Sequence, residues 1–297
     1  MKIGIVGILN NPATSKNSHS AGWNLLVRDM MYENATFLKE TDDWNIYDKI
    51  VICHGPNFKE NSYNIIGGIT ESVIKRCNKL KNFKGIIESV DNFKPNDFYN
   101  KRKLDLKPFK SNIVKVSMPK RNNLVMGDSH SISVWPGQNY EILRQDGRTM
   151  YGFMKRFYSY DFNRFNKVIF YYGNIDVRFH LYRKSETEII SQIMRYINYA
   201  RKVNATIVNL LPVESECRKI PKSGQYKGKN FYGTQEHRQS IVKLCNKIMN
   251  QQYDKTLKWP KIWYEDIEYF ENEIMEPRQS VHIRPKHYVK REELTLF

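Results

Sequence analysis

The sequence predicts an α/β protein: a small Rossmann-like unit over residues 1–110, then a larger α/β domain with a parallel sheet over residues 111–297. Three observations carry this. Short apolar runs alternate with helix-patterned segments in both parts, the signature of parallel strands joined by crossover helices. Polar turns follow the apolar runs, several of them bearing glycine. A polar, basic stretch, KPNDFYNKRKLDLKPFKSN, interrupts the alternation and marks a connection, with the boundary near Ser111.

In the first part, residues 2–9, 49–53 and 85–90 read as strands, and residues 21–31 and 69–80 as helices. The run after Met1 ends at Asn10-Asn11-Pro12 with no small-residue cleavage pattern, so it reads as a first strand and not as a signal peptide. Residues 7–11 and 54–57 follow strands, where ligands of open α/β sheets gather. Neither GxGxxG nor a P-loop is present, and Gly4, Gly7 and Gly55 read as turn residues. No cofactor is expected.

In the second part, residues 124–126, 167–172, 205–211 and 261–264 read as strands. Two helices lie between them. One opens with Ser185-Glu186-Thr187-Glu188, a capping box, followed by Ile189, Ile190, Ile193, Met194 and Ile197 at helical spacing. The other runs from Thr234 to about Gln251, with Ile241, Val242, Cys245, Ile248 and Met249 on one face. Those stripes are expected to be core.

Lys plus Arg number 48 against 31 for Asp plus Glu, a net charge of +17 in 297 residues. Such a field attracts polyanions, so an anionic partner is expected, DNA or a glycan among the candidates; compositional drift toward lysine is the plainer account. Cys53, Cys77, Cys217 and Cys245 form no CxxC pair and have no histidine at zinc spacing, so neither a metal site nor a disulfide framework is expected. Reduced cysteines and the lack of an apolar stretch near the ~20 residues of a membrane helix predict a soluble, cytoplasmic protein without a membrane partner. The oligomeric state is not set by the sequence.

The chemistry gathers at Val125 to Gly137, VMGDSHSISVWPG. An apolar run ends in Gly127-Asp128-Ser129-His130, so Ser129 stands either as a nucleophile outside a sheet or as the cap of a following helix. A nucleophilic serine needs a base delivered by a later loop, and His282, in Ser280-Val281-His282-Ile283-Arg284-Pro285, follows the last predicted strand. His130, His180, His237 and His287 are expected on the surface or in packing roles.

GDSHS, then Tyr172-Gly173-Asn174-Ile175-Asp176, then Val281-His282-Ile283-Arg284-Pro285 occur in the order and context of the SGNH/GDSL hydrolase superfamily, which the last two-thirds of the chain resembles. The resemblance implies a three-layer α/β/α domain and a serine esterase or group transferase. It implies Ser129 in Asp128-Ser129 as nucleophile, His282 as base, and oxyanion donors from the Ser129 amide, from Asn174 and from Gly147 or Gly152. Two departures stand out. Asn174 is one position earlier than the family's asparagine, and Gln279 occupies the place of the aspartate that orients the histidine. A Ser-His dyad that borrows Glu276 or Asp266 is one outcome, and a fold reused for binding is another.

Arg148, Arg178 and Arg284, with Asp176, flank these motifs and are candidates for binding an anionic substrate; salt bridges of Arg178 with Asp176 and of Arg148 with Asp146 are the structural alternative. The basic, aromatic loop of residues 214–233, with Tyr226, Phe231 and Tyr232, is a candidate strand-binding or lid segment. The first part, through Met1-Lys2-Ile3, the run from Tyr47 to Ile52 and Gly67-Gly68, bears a slighter likeness to phage sugar transferases that modify DNA bases, which would place the protein in a host cytoplasm. Three functions stay open: the esterase or transferase, a DNA-base glycosyltransferase using a nucleotide sugar, and a non-catalytic nucleic-acid-binding protein.

Overall fold

A computed structural model of the chain describes residues 1–6, 28, 31–39, 41–53, 83–91, 113–117, 120–135, 139–145, 147–215, 228, 231–276, 281–290 and 295–296. They form two compact units that divide after residue 119. Both are α/β.

The first unit is a five-stranded sheet of β1 (Ile3–Val6), β2 (Thr36–Phe37), β3 (Lys49–Cys53), β4 (Ile86–Asp91) and β5 (Ile113–Ser117), in the order β2-β1-β3-β4-β5. Every pairing is parallel. Ile5, Val6, Ile50, Val51 and Ile87 are fully buried, as the β-branched runs of a parallel sheet should be. The strand β5 lies beyond the expected boundary at Ser111 and pairs with β4, so it completes this sheet. The helix expected over residues 21–31 lies, apart from residues 28 and 31, outside the described residues, and the helix over 69–80 and the loops of residues 7–11 and 54–57 lie wholly outside them.

The second unit holds a six-stranded sheet. Its strands are β6 (Asn123–Gly127), β8 (Tyr140–Arg144), β9 (Lys167–Tyr171), β10 (Thr206–Val208), β11 (Thr256–Lys258) and β13 (Thr295–Leu296), in the order β13-β11-β10-β9-β6-β8. All pairings are parallel except β11 with β13. A separate parallel pair joins β7 (Val134–Trp135) to β12 (Val289–Lys290).

One face of this sheet presents Leu124, Met126, Val168, Phe170 and Ile207 to the helices α1 (Met150–Lys155), α3 (Glu186–Lys202) and α4 (Gln235–Gln252). The expected capping box is formed: Glu188 N–H donates to Ser185 Oγ, and the Glu188 carboxylate accepts from Ser185 N–H. Ile189, Ile193 and Ile197 of α3 and Ile241, Val242, Cys245, Ile248 and Met249 of α4 enter the core; Ile190 stays exposed. On the other face, Tyr171 meets Trp259, which stacks on Trp263, which meets Phe270. The result is three layers, helix on sheet on helix.

The expected strand at residues 261–264 is instead the helix α5 (Ile262–Glu265). Aromatic and β-branched residues mimic a strand there, but Pro260 fixes a turn whose carbonyl accepts from Trp263 N–H. The strand in this stretch is the preceding β11, only three residues long. No helix among the described residues is long and apolar enough to cross a membrane.

Chain order sets where a site can form. From β6 the chain moves to β8 on one side, then returns to β9 on the other and continues outward through β10 and β11. The carboxyl end of β6 is therefore a topological switch point, where open α/β sheets leave a crevice.

Candidate active site

Gly127 ends β6 at that crevice. A Cβ there would lie 2.2 Å from the Tyr171 carbonyl oxygen on β9, so glycine is required for the two strands to stay paired while the chain turns away. Asp128 then shapes the turn: its N–H donates to the Tyr171 carbonyl, its Oδ1 accepts from His130 N–H at 2.9 Å, and its carbonyl accepts from Ser131 N–H. Aspartate favours such turns because its side chain bonds the backbone two residues on.

The turn presents Ser129 outward. Its Oγ is 2.8 Å from Nε2 of His282, a residue 153 positions later. The chain beyond it forms no α-helix but a three-residue 3-10 turn, Ser131–Ser133, whose N-cap is His130. Ser129 is thus not a helix cap, and no α-helix begins at its amide.

His282 rides on a short antiparallel ribbon, not on the loop after a strand at 261–264. Met275 pairs with Ile283, Glu276 N–H donates to the His282 carbonyl, and Arg284 N–H donates to the Ile274 carbonyl. That register sets Glu276 directly across from His282, with both side chains on one face. Glu276 is buried. Asp266, the other carboxylate the sequence offered, is exposed and caps the turn at Ile267–Tyr269 by accepting from Tyr269 N–H. Gln279 lies outside the described residues.

After β9 the chain turns at Gly173, whose φ of 118° lies in the left-handed region, where a Cβ would also meet Leu210 and Met150. It opens α2 (Asn174–Phe179). Asn174 is fully buried: its N–H and Nδ2 donate to Asp128 Oδ2 at 3.2 and 3.5 Å, and its Oδ1 accepts from Leu211 N–H. Asn174 and Asp128 therefore brace each other beneath Ser129. Of the two candidate glycines, Gly152 spends its N–H on Thr149 Oγ1, the cap of α1. Gly147, with φ 68°, follows β8 by three residues, beside the pairing of Gly127 with Arg144.

The expected substrate-binding residues fall differently. Arg178 is buried and bidentate to Glu214, with Nε and Nη2 at 2.8 Å from its two oxygens, while its Nη1 donates to the Asn174 carbonyl. Arg238 reaches the same glutamate through Nη1 at 3.6 Å and donates to its carbonyl. Burial alone would raise the Glu214 carboxyl, but the charges and hydrogen bonds of the two arginines outweigh it and hold it below the usual range. Asp176 is not paired with Arg178; it accepts from Met150 N–H and Gln192 Nε2, and burial pushes it up to about 7. Arg284 donates to the Asn272 carbonyl and lies 4.0 Å from Glu273. Arg178 and Asp176 thus spend their side-chain hydrogen bonds within the protein, and Arg284 spends Nη2 on a backbone carbonyl. Arg148 is half-exposed beside Gly152; Asp146 lies outside the described residues.

Most of the basic loop of residues 214–233 also lies outside the described residues, including Tyr226. Its Phe231 and Tyr232 pack on Ile175 and Phe179, with Arg238 over Phe231 and Arg183 over Tyr232. Those two rings take part in packing. Among the described residues, no group of three His, Cys, Asp or Glu side chains could hold a metal ion.

The residue that sequence reasoning passed over is His130. It is buried, its ring centroid 4.5 Å from that of His282. Its place two residues after Asp128 in a turn was the available signal.

No protein-family model matches the chain, and no curated protein matches it. Among solved structures, the chain is similar to the lipase/acylhydrolase from Enterococcus faecalis, with 13% identity and a TM-score of 0.39 over 57% of this chain and 90% of that one. A likeness at that score identifies no family. The sugar-transferase likeness of the first part gains no support.

Proposed function

We propose that the second unit is a serine hydrolase or group transferase of the SGNH type. The observation that carries this is the 2.8 Å contact between Ser129 Oγ and His282 Nε2 at the switch point of the sheet. A serine hydroxyl is a weak nucleophile unless a base takes its proton as it attacks, and a neutral imidazole within hydrogen-bond reach is that base.

Ser129 Oγ attacks the carbonyl carbon of an ester while its proton passes to His282 Nε2. The oxyanion forms near the Ser129 amide, with Gly147 as the second donor. Collapse breaks the ester C–O bond, and His282 returns the proton to the leaving alcohol. Water, or a second alcohol in a transferase, then attacks the acyl-serine with His282 again as base. Glu276, across from His282, is the carboxylate that steadies the imidazolium in place of the family's aspartate. The net charge of +17 favours an anionic carrier of the ester, a glycan or a decorated nucleic acid.

The test is intact-mass measurement after treatment with a fluorophosphonate. A single adduct on the wild type that is absent from Ser129→Ala supports the proposal. A wild type that takes no adduct overturns it.

A further inference from the structure

His130 has no part in the acyl transfer itself, yet its ring is enclosed between two groups of one kind. Nδ1 lies 3.1 Å from Asp128 Oδ1, and Nε2 lies 3.0 Å from the carbonyl oxygen of Val281. An ionised carboxylate and a backbone carbonyl are both acceptors. A neutral imidazole offers one N–H and one lone pair, so it satisfies one of them and turns its lone pair on the other. Both contacts are attractive when the ring carries both protons.

We propose that His130 is a positioning residue whose imidazolium clasps the Val281 carbonyl to the Asp128 carboxylate, and so fixes the backbone that presents His282 to Ser129. This rests on the proposed hydrolase or transferase function. Asp128 and Val281 stand on opposite walls of the site, and His130 is the side chain that bridges them directly. Arg178 Nη2 approaches the same carbonyl at 3.4 Å, a longer contact from a guanidinium already bidentate to Glu214.

Among the described residues, four titratable or charged groups face the ring. Asp128 faces it from the turn after β6, Tyr171 from β9 at 6.4 Å between centroids, Arg178 from α2 through the shared carbonyl, and His282 from the ribbon. The Asp128 charge offsets that of the His130 imidazolium, so the clasp adds no net charge beside His282.

The experiment takes long-range proton–nitrogen spectra of the wild-type histidine rings and compares the fluorophosphonate labelling rates of the wild type, His130→Gln and His130→Ala. Gln keeps a donor for the Val281 carbonyl. The expected result is a His130 ring protonated on both nitrogens, with His130→Gln labelling much closer to wild type than His130→Ala. His130→Ala, lacking the donor, should label on the order of 10- to 100-fold more slowly than wild type. A His130 ring that is a single neutral tautomer, or His130→Gln labelling as slowly as His130→Ala, overturns the clasp. A wild type that does not label overturns the hydrolase function instead, and the ring spectrum then decides the clasp by itself.

Discussion

Ser129 and His282, 153 residues apart in the chain, meet at 2.8 Å because one sits in the turn that follows a central strand and the other rides on a short ribbon. If this contact activates the serine, removing the base should cost more than removing a neighbour. His282→Ala should label with fluorophosphonate roughly 10² to 10⁴ times more slowly than wild type, the range that general-base loss covers. Its melting temperature should stay close to wild type, since the residue is only half-buried. The pair of measurements separates lost chemistry from lost fold.

Gly127 is held by sterics rather than chemistry. Adding a Cβ would force it to 2.2 Å from a backbone carbonyl on the neighbouring strand, and backbone cannot swing aside as a side chain can. Gly127→Ala should therefore destabilise the second unit by about 1–3 kcal/mol, the usual cost of overpacking, read as a shifted urea midpoint at unchanged slope.

The sequence exposed local logic and hid what depends on distant partners. The Ser185 capping box and the stripe from Ile241 to Met249 were legible because each is a short-range pattern that serves one helix. The turn in GDSHS was legible because Gly127 and Asp128 each shape it locally, one by its missing Cβ and one by hydrogen bonds to the next residues. By contrast, Arg178 finds Glu214 across 36 residues, and nothing near Arg178 distinguishes a buried fork from a substrate-facing one. The misread strand at residues 261–264 has the composition of a strand, and a single proline decided against it.

Glu214 is the counter-charge of two buried guanidiniums, and Arg178 in turn donates to the Asn174 carbonyl and approaches that of Val281. Glu214→Gln keeps the shape but leaves both arginines without their charge partner in a place water does not reach. Breaking a buried pair in this way costs about 3–5 kcal/mol. The expected outcome is a large fall in the urea midpoint, with any remaining folded protein labelling more slowly because both walls of the site are tied to Arg178. A variant as stable as wild type would remove the cluster from the account of the fold.

Asp176 gives a pH dependence of stability with a definite sign. Burial raises its carboxyl from the ordinary 3.8 to about 7, so between those values the folded state holds a proton that the unfolded state has released. Stability from this group is greatest below about pH 4, declines as pH rises through about 7, and is level above that, by an amount on the order of a few kcal/mol. Asp176→Asn removes the titration while keeping an acceptor for Met150 N–H, and the Gln192 amide can turn to meet the new NH₂. Urea midpoints of the variant and wild type should lie closest at about pH 4 and diverge in favour of the variant toward about pH 8. A difference that does not change with pH would mean that Asp176 titrates alike in the folded and unfolded chain.

Glu276 tests whether the dyad is really a triad with its carboxylate relocated. The ribbon register sets it across from His282, on the same face, and it is buried. A carboxylate so placed steadies the imidazolium that forms when Ser129 gives up its proton; an amide of equal size orients the ring without offsetting its charge. Glu276→Gln should therefore keep the fold and slow fluorophosphonate labelling by roughly 10²- to 10⁴-fold, whereas Asp266→Asn, which loosens an exposed turn cap, should leave labelling near wild type. Equal rates for Glu276→Gln and wild type would mean that His282 is held by the backbone of its ribbon, and that Ser129 and His282 work as a pair.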